Sequence, residues 1–374
     1  MTSVPPFLEA HPAADGHPLR PLIAPEFTTS QWRRLHDEGA PLAFVHALGV
    51  WAAEDVTVSG YGNHVFVEGE RFSHVSVEPR YVTQLIEQGA IAPKVDTGLE
   101  VLEIDEPAVV FMGWGQDVYG HVLVETAPKI RIAARAIGQT PGDLNFLMPR
   151  DAPDWFRQAM ALAGGRTFIE YDQASVRPLL RRAWVATLPV ACALHPACAE
   201  IFSHMRPATS MVAGDAIFIT RRRAKVTRPI VLLNADDIMR RAEDAGLRIV
   251  SPESLPVAEQ AQLFVNARLI VGEYGSALMN AVFCRPDSIV GAIGERSQLL
   301  SAISAACRLR LSFLDPLSDP HHADGYAVDP EAFSRWLDVL LASSEKAAIP
   351  AHAVANRYVD SEAGACSSRG DNAR

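Results

Sequence analysis

Three stretches of the chain hold side chains whose types and spacing suit joint chemistry. The first runs from Gly113-Trp114-Gly115-Gln116-Asp117-Val118-Tyr119-Gly120-His121 through Glu125 to Pro128. His121 and Glu125 are four apart, so a helix sets both on one face. An imidazole beside a carboxylate is the pattern of a general base and the acid that orients it. Asp117 is an outside candidate for the same proton. A histidine that merely packs on a helix has the same spacing. The second stretch, Thr220 to Arg228, places Arg221, Arg222, Arg223, Lys225 and Arg228 within eight positions. Arginine forks suit phosphate and carboxylate oxygens, although a solvated basic loop has this composition too. The third is Gly272-Glu273-Tyr274-Gly275-Ser276-Ala277-Leu278-Met279-Asn280, in which a strand runs through glycines into a helix start. Free N–H groups at such a start favour an anion. A tight turn that needs glycine for its geometry is the alternative. The stretch is neither Gly-x-Gly-x-x-Gly nor Gly-x-x-x-x-Gly-Lys, so it carries no dinucleotide or P-loop signature.

Other chemistries read weakly. Cys192, His195 and Cys198 stop at three ligands in an apolar stretch, and His321, His322 and Asp324 fall in a polar loop. No metal is expected. Gly-x-Ser-x-Gly is absent, which disfavours an α/β-hydrolase.

The elements that must position these residues alternate. Short strands with glycine turns are predicted between Val56 and Val77, and a further strand over 108–112. A helix follows over 120–137, with Pro128 expected to kink it. Then come a strand over 144–147, a helix from Asp154, with that residue as a possible cap, and strands over 166–171 and 183–187. The second half reads as strands over 215–220, 247–250, 269–271, 288–293 and 309–314. Helices between and after them are predicted over 234–245, from Pro256 to 268, and over 276–283, 297–306 and 330–341. Asn234 is positioned to cap the first of these. Strand–helix alternation of this kind specifies parallel, doubly wound sheets. Such sheets bind ligands at the carboxyl ends of their strands, where Arg221, Glu253 and the Glu273–Ser276 turn fall.

The chain has 374 residues, of which 48% are hydrophobic and 21% charged, an ordinary globular mix. Its net charge of −10 disfavours sequence-independent nucleic-acid binding, which needs summed positive charge. Five cysteines, none in a Cys-x-x-Cys pair, point to a reducing compartment rather than a disulfide framework. The first residues lack a secretory pattern, and no apolar run is long enough to span a bilayer. The reading is therefore cytoplasmic. Residues 1–205 are expected to form one domain with an irregular leader and 206–345 a second. Residues 346–374, including an Arg-Gly-Asp tripeptide that has no partner in a cytoplasmic tail, are expected to be disordered.

The ordered blocks resemble glycosyltransferase family 61, the capsular-polysaccharide biosynthesis type. Tyr119-Gly120-His121 with Glu125 and Pro128 matches an early Tyr-x-His-x-x-x-Glu-x-x-Pro block. Ile219-Thr220-Arg221, Arg228 and Asn234 match a middle block, with Arg228 about two residues out of place. Pro252-Glu253, Glu259-Gln260 and Gly272 to Asn280 match a late block. There Tyr274 replaces the family's histidine and Ser276 its alanine. The resemblance covers roughly residues 105–315. It implies a GT-B-like α/β architecture of two Rossmann-like domains facing a cleft, with extra short strands near the N-terminus. It also implies inverting, metal-independent transfer of a sugar from a nucleotide-sugar donor to a glycan acceptor. A lipid-linked acceptor would bring the enzyme to the inner membrane face as a peripheral protein. On this reading His121, Glu125 and Asp117 are the catalytic candidates, and Arg221, Arg228, Glu253, Gln260, Tyr274, Gly275, Ser276 and Asn280 hold the donor. A nucleotide-sugar epimerase of the same architecture and a non-catalytic partner in polysaccharide assembly are the alternatives. Donor, linkage and oligomeric state are not legible.

Overall fold

The computed structural model describes residues 2–3, 48–60, 63–72, 77, 80–111, 113, 115–190, 194–195, 197–208, 214–222, 232–317 and 325–347. Arg228, Cys192, the His321-His322 pair, nearly all of the leader and the tail beyond 347 lie outside the described residues.

The first half builds one mixed sheet. Its strands are β1 (Thr2–Ser3), β2 (Val50–Ser59), β3 (His64–Val67), β4 (Glu70–Arg71), β5 (Glu100–Ile104), β6 (Ala108–Val110), β7 (Asn145–Pro149), β8 (Thr167–Tyr171) and β9 (Val176–Ala186). Their order is β4-β3-β2-β9-β6-β7-β8, with β1 on β2 and β5 on β9. β2, β3 and β4 pair antiparallel, as does β2 with β9; β9, β6, β7 and β8 run parallel. The chain lays β7 and β8 to one side of β6 and β9 to the other. The carboxyl end of β6 is thus a place where strand order reverses.

The second half is a five-stranded, all-parallel sheet of β10 (Asp215–Ile219), β11 (Arg248–Val250), β12 (Ala267–Glu273), β13 (Ile289–Ile293) and β14 (Arg310–Leu314), ordered β11-β10-β12-β13-β14. Both faces are covered, which is why these strands read as unbroken apolar runs. Ile217, Ile219, Ile270, Val290 and Ala292 face one core. Phe218, Leu269, Val271, Ile289 and Ile293 face the other, against Phe333 and Trp336. The period of two along each strand assigns the sides. β10 is flanked by β11 on one side and β12 on the other, so the switch point of this sheet lies between the carboxyl ends of β10 and β12.

The largest core does not stop at the boundary between the halves. It runs from Leu48, Phe111 and Phe146 through Phe156 and Phe202 to Phe264, Leu278 and Phe283.

Several local expectations are corrected. Asp154 is not a cap: helix Asp154–Leu162 starts after Pro153, and Asp154 sits in its first turn. Asn234 precedes helix Ala235–Asp244 but makes no side-chain cap. It instead grips Val328, donating from Nδ2 to the carbonyl (2.8 Å) and accepting the Val328 N–H (3.3 Å). Pro128 follows an irregular stretch of its helix. The chain is helical over Tyr119–His121, widens to a π turn over Val122–Thr126, and continues as α-helix over Ala127–Ile137. Proline has no N–H for an i→i−4 bond, and its ring crowds that carbonyl. In the wider turn the Ala127 N–H reaches back to Val122 O, so the proline enters near the start of a fresh α segment. We call this whole helix α1, and the final helix, Pro330–Ala347, α2. The latter carries chain expected to belong to the tail.

Candidate active site

The glycine-rich loop after β6 delivers α1 to the site. Gly115 sits at φ +83°, a left-handed turn residue whose carbonyl accepts the Val118 N–H at 2.9 Å. A Cβ on Gly115 would lie 3.3 Å from Cβ and Cγ of His121, so the glycine makes room for the imidazole. His121 Nδ1 lies 2.9 Å from Glu125 Oε1, and the two side chains are 35% and 12% exposed. The bond to Glu125 raises the imidazole pKa above its ordinary value, and the charges of Glu125 and exposed Asp117 add to it; partial burial opposes them. The carboxylate thus faces Nδ1 and orients the ring.

The loop is held from the N-terminal hairpin as well. Asn63, buried in the β2–β3 turn at φ +52°, accepts a hydrogen bond from Tyr171 Oη and donates to Gln116 Oε1. Neither Asn63 nor Tyr171 was expected at the site, because their chain separation of 108 residues leaves no local signal.

A third unanticipated residue is Lys129, one further turn along α1 and only 3% exposed. Burial pulls its pKa down to about 8, and the charge of Glu125 opposes the fall. The expected donor elements gather at the switch point of the parallel sheet. Gly272 lets β12 approach β10: a Cβ there would be 2.6 Å from Ile219 O. Arg221, just past β10, donates from its backbone N–H to Glu273 Oε1 (3.2 Å) and from Nη1 to Tyr274 O (2.9 Å). Its guanidinium lies across Gly275, where a Cβ would meet Nε at 2.9 Å. Glu273 is 4% exposed, and burial raises its carboxyl pKa, against the opposing pull of the Arg221 N–H and charge and of Thr220. Tyr274, in place of the family's histidine, bonds through Oη to Ser297 Oγ at 3.0 Å, and Ser297 also accepts the Leu300 N–H as a helix cap. The phenol is therefore engaged by the scaffold, and burial raises its pKa.

The two sets meet at Gly120. A Cβ on it would press Met279 Cγ at 2.8 Å and Ser276 Cα and Oγ at 3.4 Å, so the residue next to His121 touches the turn Ser276–Phe283 directly. The structure thus brings His121, Glu125, Arg221, Tyr274, Gly275 and Ser276 into one neighbourhood. It places Gln260 and Asn280 differently. Both are buried, and Asn280 Nδ2 donates to Gln260 Oε1 (2.9 Å) and Ala277 O (3.0 Å), while Tyr119 Oη donates to Asn280 Oδ1 (2.7 Å). Expected as donor ligands, they are spent on each other inside the fold. Glu253 is exposed on the short turn Pro252–Ser254 past β11, at the same carboxyl edge. Among the described residues, no three His, Cys, Asp or Glu side chains come together to hold a metal ion.

These features define an α/β protein with an imidazole–carboxylate pair one residue from a glycine that packs on the Ser276–Phe283 turn, the turn that Arg221 adjoins at Gly275. Residues 119–291 match the model of the family described as glycosyltransferase 61. Over that segment the chain is similar to glycosyltransferase 61, which supports a glycosyltransferase enzyme. No curated protein matches it.

Proposed function

We propose that the protein moves a sugar, with inversion, from a nucleotide-sugar donor to a glycan acceptor in cell-surface or capsular polysaccharide synthesis. The observation that carries this reading is the contact of Gly120, next to His121, with Ser276, beside the Arg221–Gly275 pair. A base and an anion site that touch through one glycine suit in-line displacement of a diphosphate by a hydroxyl. His121 takes the acceptor's proton, and Glu125 holds the imidazole and stabilises its charged form. The leaving diphosphate is met by Arg221 and the N–H groups after Gly275, fixed donors that need no metal. Glu253, on the same edge, is placed for the nucleoside's ribose hydroxyls. The reading assigns the nucleotide to the second half and the acceptor to the first, in a GT-B-like arrangement. The enzyme is cytoplasmic on this view, meeting a lipid-linked acceptor at the inner membrane face. Among the described residues no helix is long and apolar enough to cross a membrane.

The test is a thermal-shift screen of nucleoside diphosphates and nucleotide sugars with and without EDTA, followed by transfer assays. At 100 times Kd, a bound nucleotide stabilises by about 2.7 kcal/mol. An EDTA-insensitive shift with one nucleotide, lost in Arg221→Ala, is expected. His121→Ala should lower kcat by roughly 10²–10⁴. No shift with any nucleotide, or an active His121→Ala variant, would refute the assignment.

A further inference from the structure

The His121 helix and the anion-site turn belong to different halves of the chain, yet one buried hydrogen-bond chain joins them. Tyr119 Oη donates to Asn280 Oδ1 at 2.7 Å across 161 residues of sequence. Asn280 Nδ2 donates to Gln260 Oε1 at 2.9 Å and to Ala277 O at 3.0 Å, and Gln260 Nε2 donates to Leu255 O at 3.0 Å. Each donor in this series meets an acceptor, and the direction is fixed: a phenol that donates requires the carboxamide oxygen of Asn280 to face it. Asn280 is fully buried and Gln260 is 5% exposed, so neither has solvent to fall back on. A closed polar network in low dielectric rigidifies what it joins. Its ends are informative. Tyr119 is two residues before His121 and packs its ring edge-on against Trp155 at 5.5 Å. Asn280 and Ala277 belong to the turn that opens at Ser276.

We propose that Tyr119, Asn280 and Gln260 are positioning residues that weld the start of α1 to the anion-site turn, so that occupation of the turn is transmitted to His121. The base and the leaving-group site would then move as one body, and the distance between them would not depend on any opening of the two halves. This rests on the reading of Arg221 and Gly275–Ser276 as a phosphate site and of His121 as the base.

The experiment uses the full-length protein and inorganic pyrophosphate as the probe of the turn. His121 ring resonances, assigned by their loss in His121→Asn, and amide hydrogen exchange over 119–126 are compared in wild type, Tyr119→Phe and Gln260→Leu. Pyrophosphate should move the His121 resonances of wild type. In both variants it should bind with a Kd within about 3-fold of wild type, while the His121 response falls at least 3-fold and exchange over 119–126 accelerates about 10-fold, equivalent to ~1.4 kcal/mol. A merely structural role would lower stability without uncoupling His121 from the probe. Gln260→Leu is the second arm because the hydrogen bonds of its side chain go to Leu255 and Asn280 and none to α1, so a polar effect there passes through Asn280. An undiminished His121 response in both variants overturns the proposal. If pyrophosphate binds none of the proteins, the phosphate-site reading fails instead. The weld is then judged by exchange alone: faster exchange over 119–126 in Gln260→Leu sustains it, and unchanged exchange overturns it.

Discussion

Gly115→Ala separates the two costs of placing a side chain beside His121. At φ +83° an alanine is forced into the left-handed region, which costs roughly 1–2 kcal/mol. Its Cβ would also stand 3.3 Å from Cβ and Cγ of His121, closer than carbon atoms normally sit, so the ring must give by a few tenths of an ångström. Misplacing a reacting group by 1 Å costs about 10²-fold, so a shift of a few tenths should cost roughly 5- to 10-fold in kcat. Gly89→Ala supplies the comparison. Gly89 has a similar φ of +71°, but nothing lies within 4 Å of its Cβ position. Both variants should lose a few degrees of melting temperature, at about 2–4 °C per kcal/mol for a domain of 150–250 residues. Only Gly115→Ala should lose activity. The assay pairs calorimetric unfolding with initial rates of sugar transfer. Equal rates in the two variants would refute the claim that Gly115 exists to seat His121.

The remaining expectations concern charge and packing. Glu125→Gln removes the main cause of the raised His121 pKa while burial remains, so the acid limb of the kcat/KM–pH profile should move to lower pH; a limb that stays in place would dissociate His121 from it. The same pair contributes stability that is present below the unfolded imidazole pKa and lost as pH rises through the higher folded one, so Glu125→Gln should flatten the stability–pH curve in that window. Glu273 also has a raised pKa, so it favours folding when neutral and opposes it above its folded pKa. Glu273→Gln, which keeps an acceptor for the Arg221 N–H, should therefore raise the melting temperature at pH 8 relative to wild type and leave it nearly unchanged at pH 4. Gly272→Ala sets a Cβ 2.6 Å from a backbone oxygen of the neighbouring strand; it should destabilise by about 1–3 kcal/mol or more in chemical denaturation.

What the sequence shows of this site is what lies close along the chain. His121 and Glu125 are four residues apart and were expected on one helix face, and Arg221 and the Gly272–Ser276 turn each follow an apolar strand and were expected at strand ends; all are found so. The parallel order of the second half was expected in kind, because unbroken apolar strands alternating with amphipathic helices have few other solutions. What escaped is what depends on distant partners. A lone Tyr119 or Asn63 carries no trace of Asn280 or Tyr171. Strand β9 was expected to start only at Ala183, because Arg181 and Arg182 interrupt its apolar run. In the fold Arg181 points outward and pairs with Asp55 at 2.8 Å and Glu103 at 2.7 Å on neighbouring strands. Lys129 escaped for a related reason: nothing in composition separates a lysine buried beneath a carboxylate from one in solvent.

The π turn ties these local and distant features together. Pro128 would leave the Val124 carbonyl without its helical donor and press its ring against it, at a cost of about 3 kcal/mol in a regular helix interior. Widening the turn over Val122–Thr126 moves the proline to the second position of a new α segment, where a missing N–H costs nothing. At the other end Tyr119 is bonded to Asn280 and Gly120 packs on Ser276. His121 and Glu125 stand between these points and the proline. A π turn holds one residue more than a regular helical turn, so side chains before and after it are related by a different angle than in an unbroken α-helix. Wide turns of this kind persist where function requires the altered side-chain direction. Here the His121–Glu125 pair follows Gly120, which packs on the Ser276–Phe283 turn of the second half.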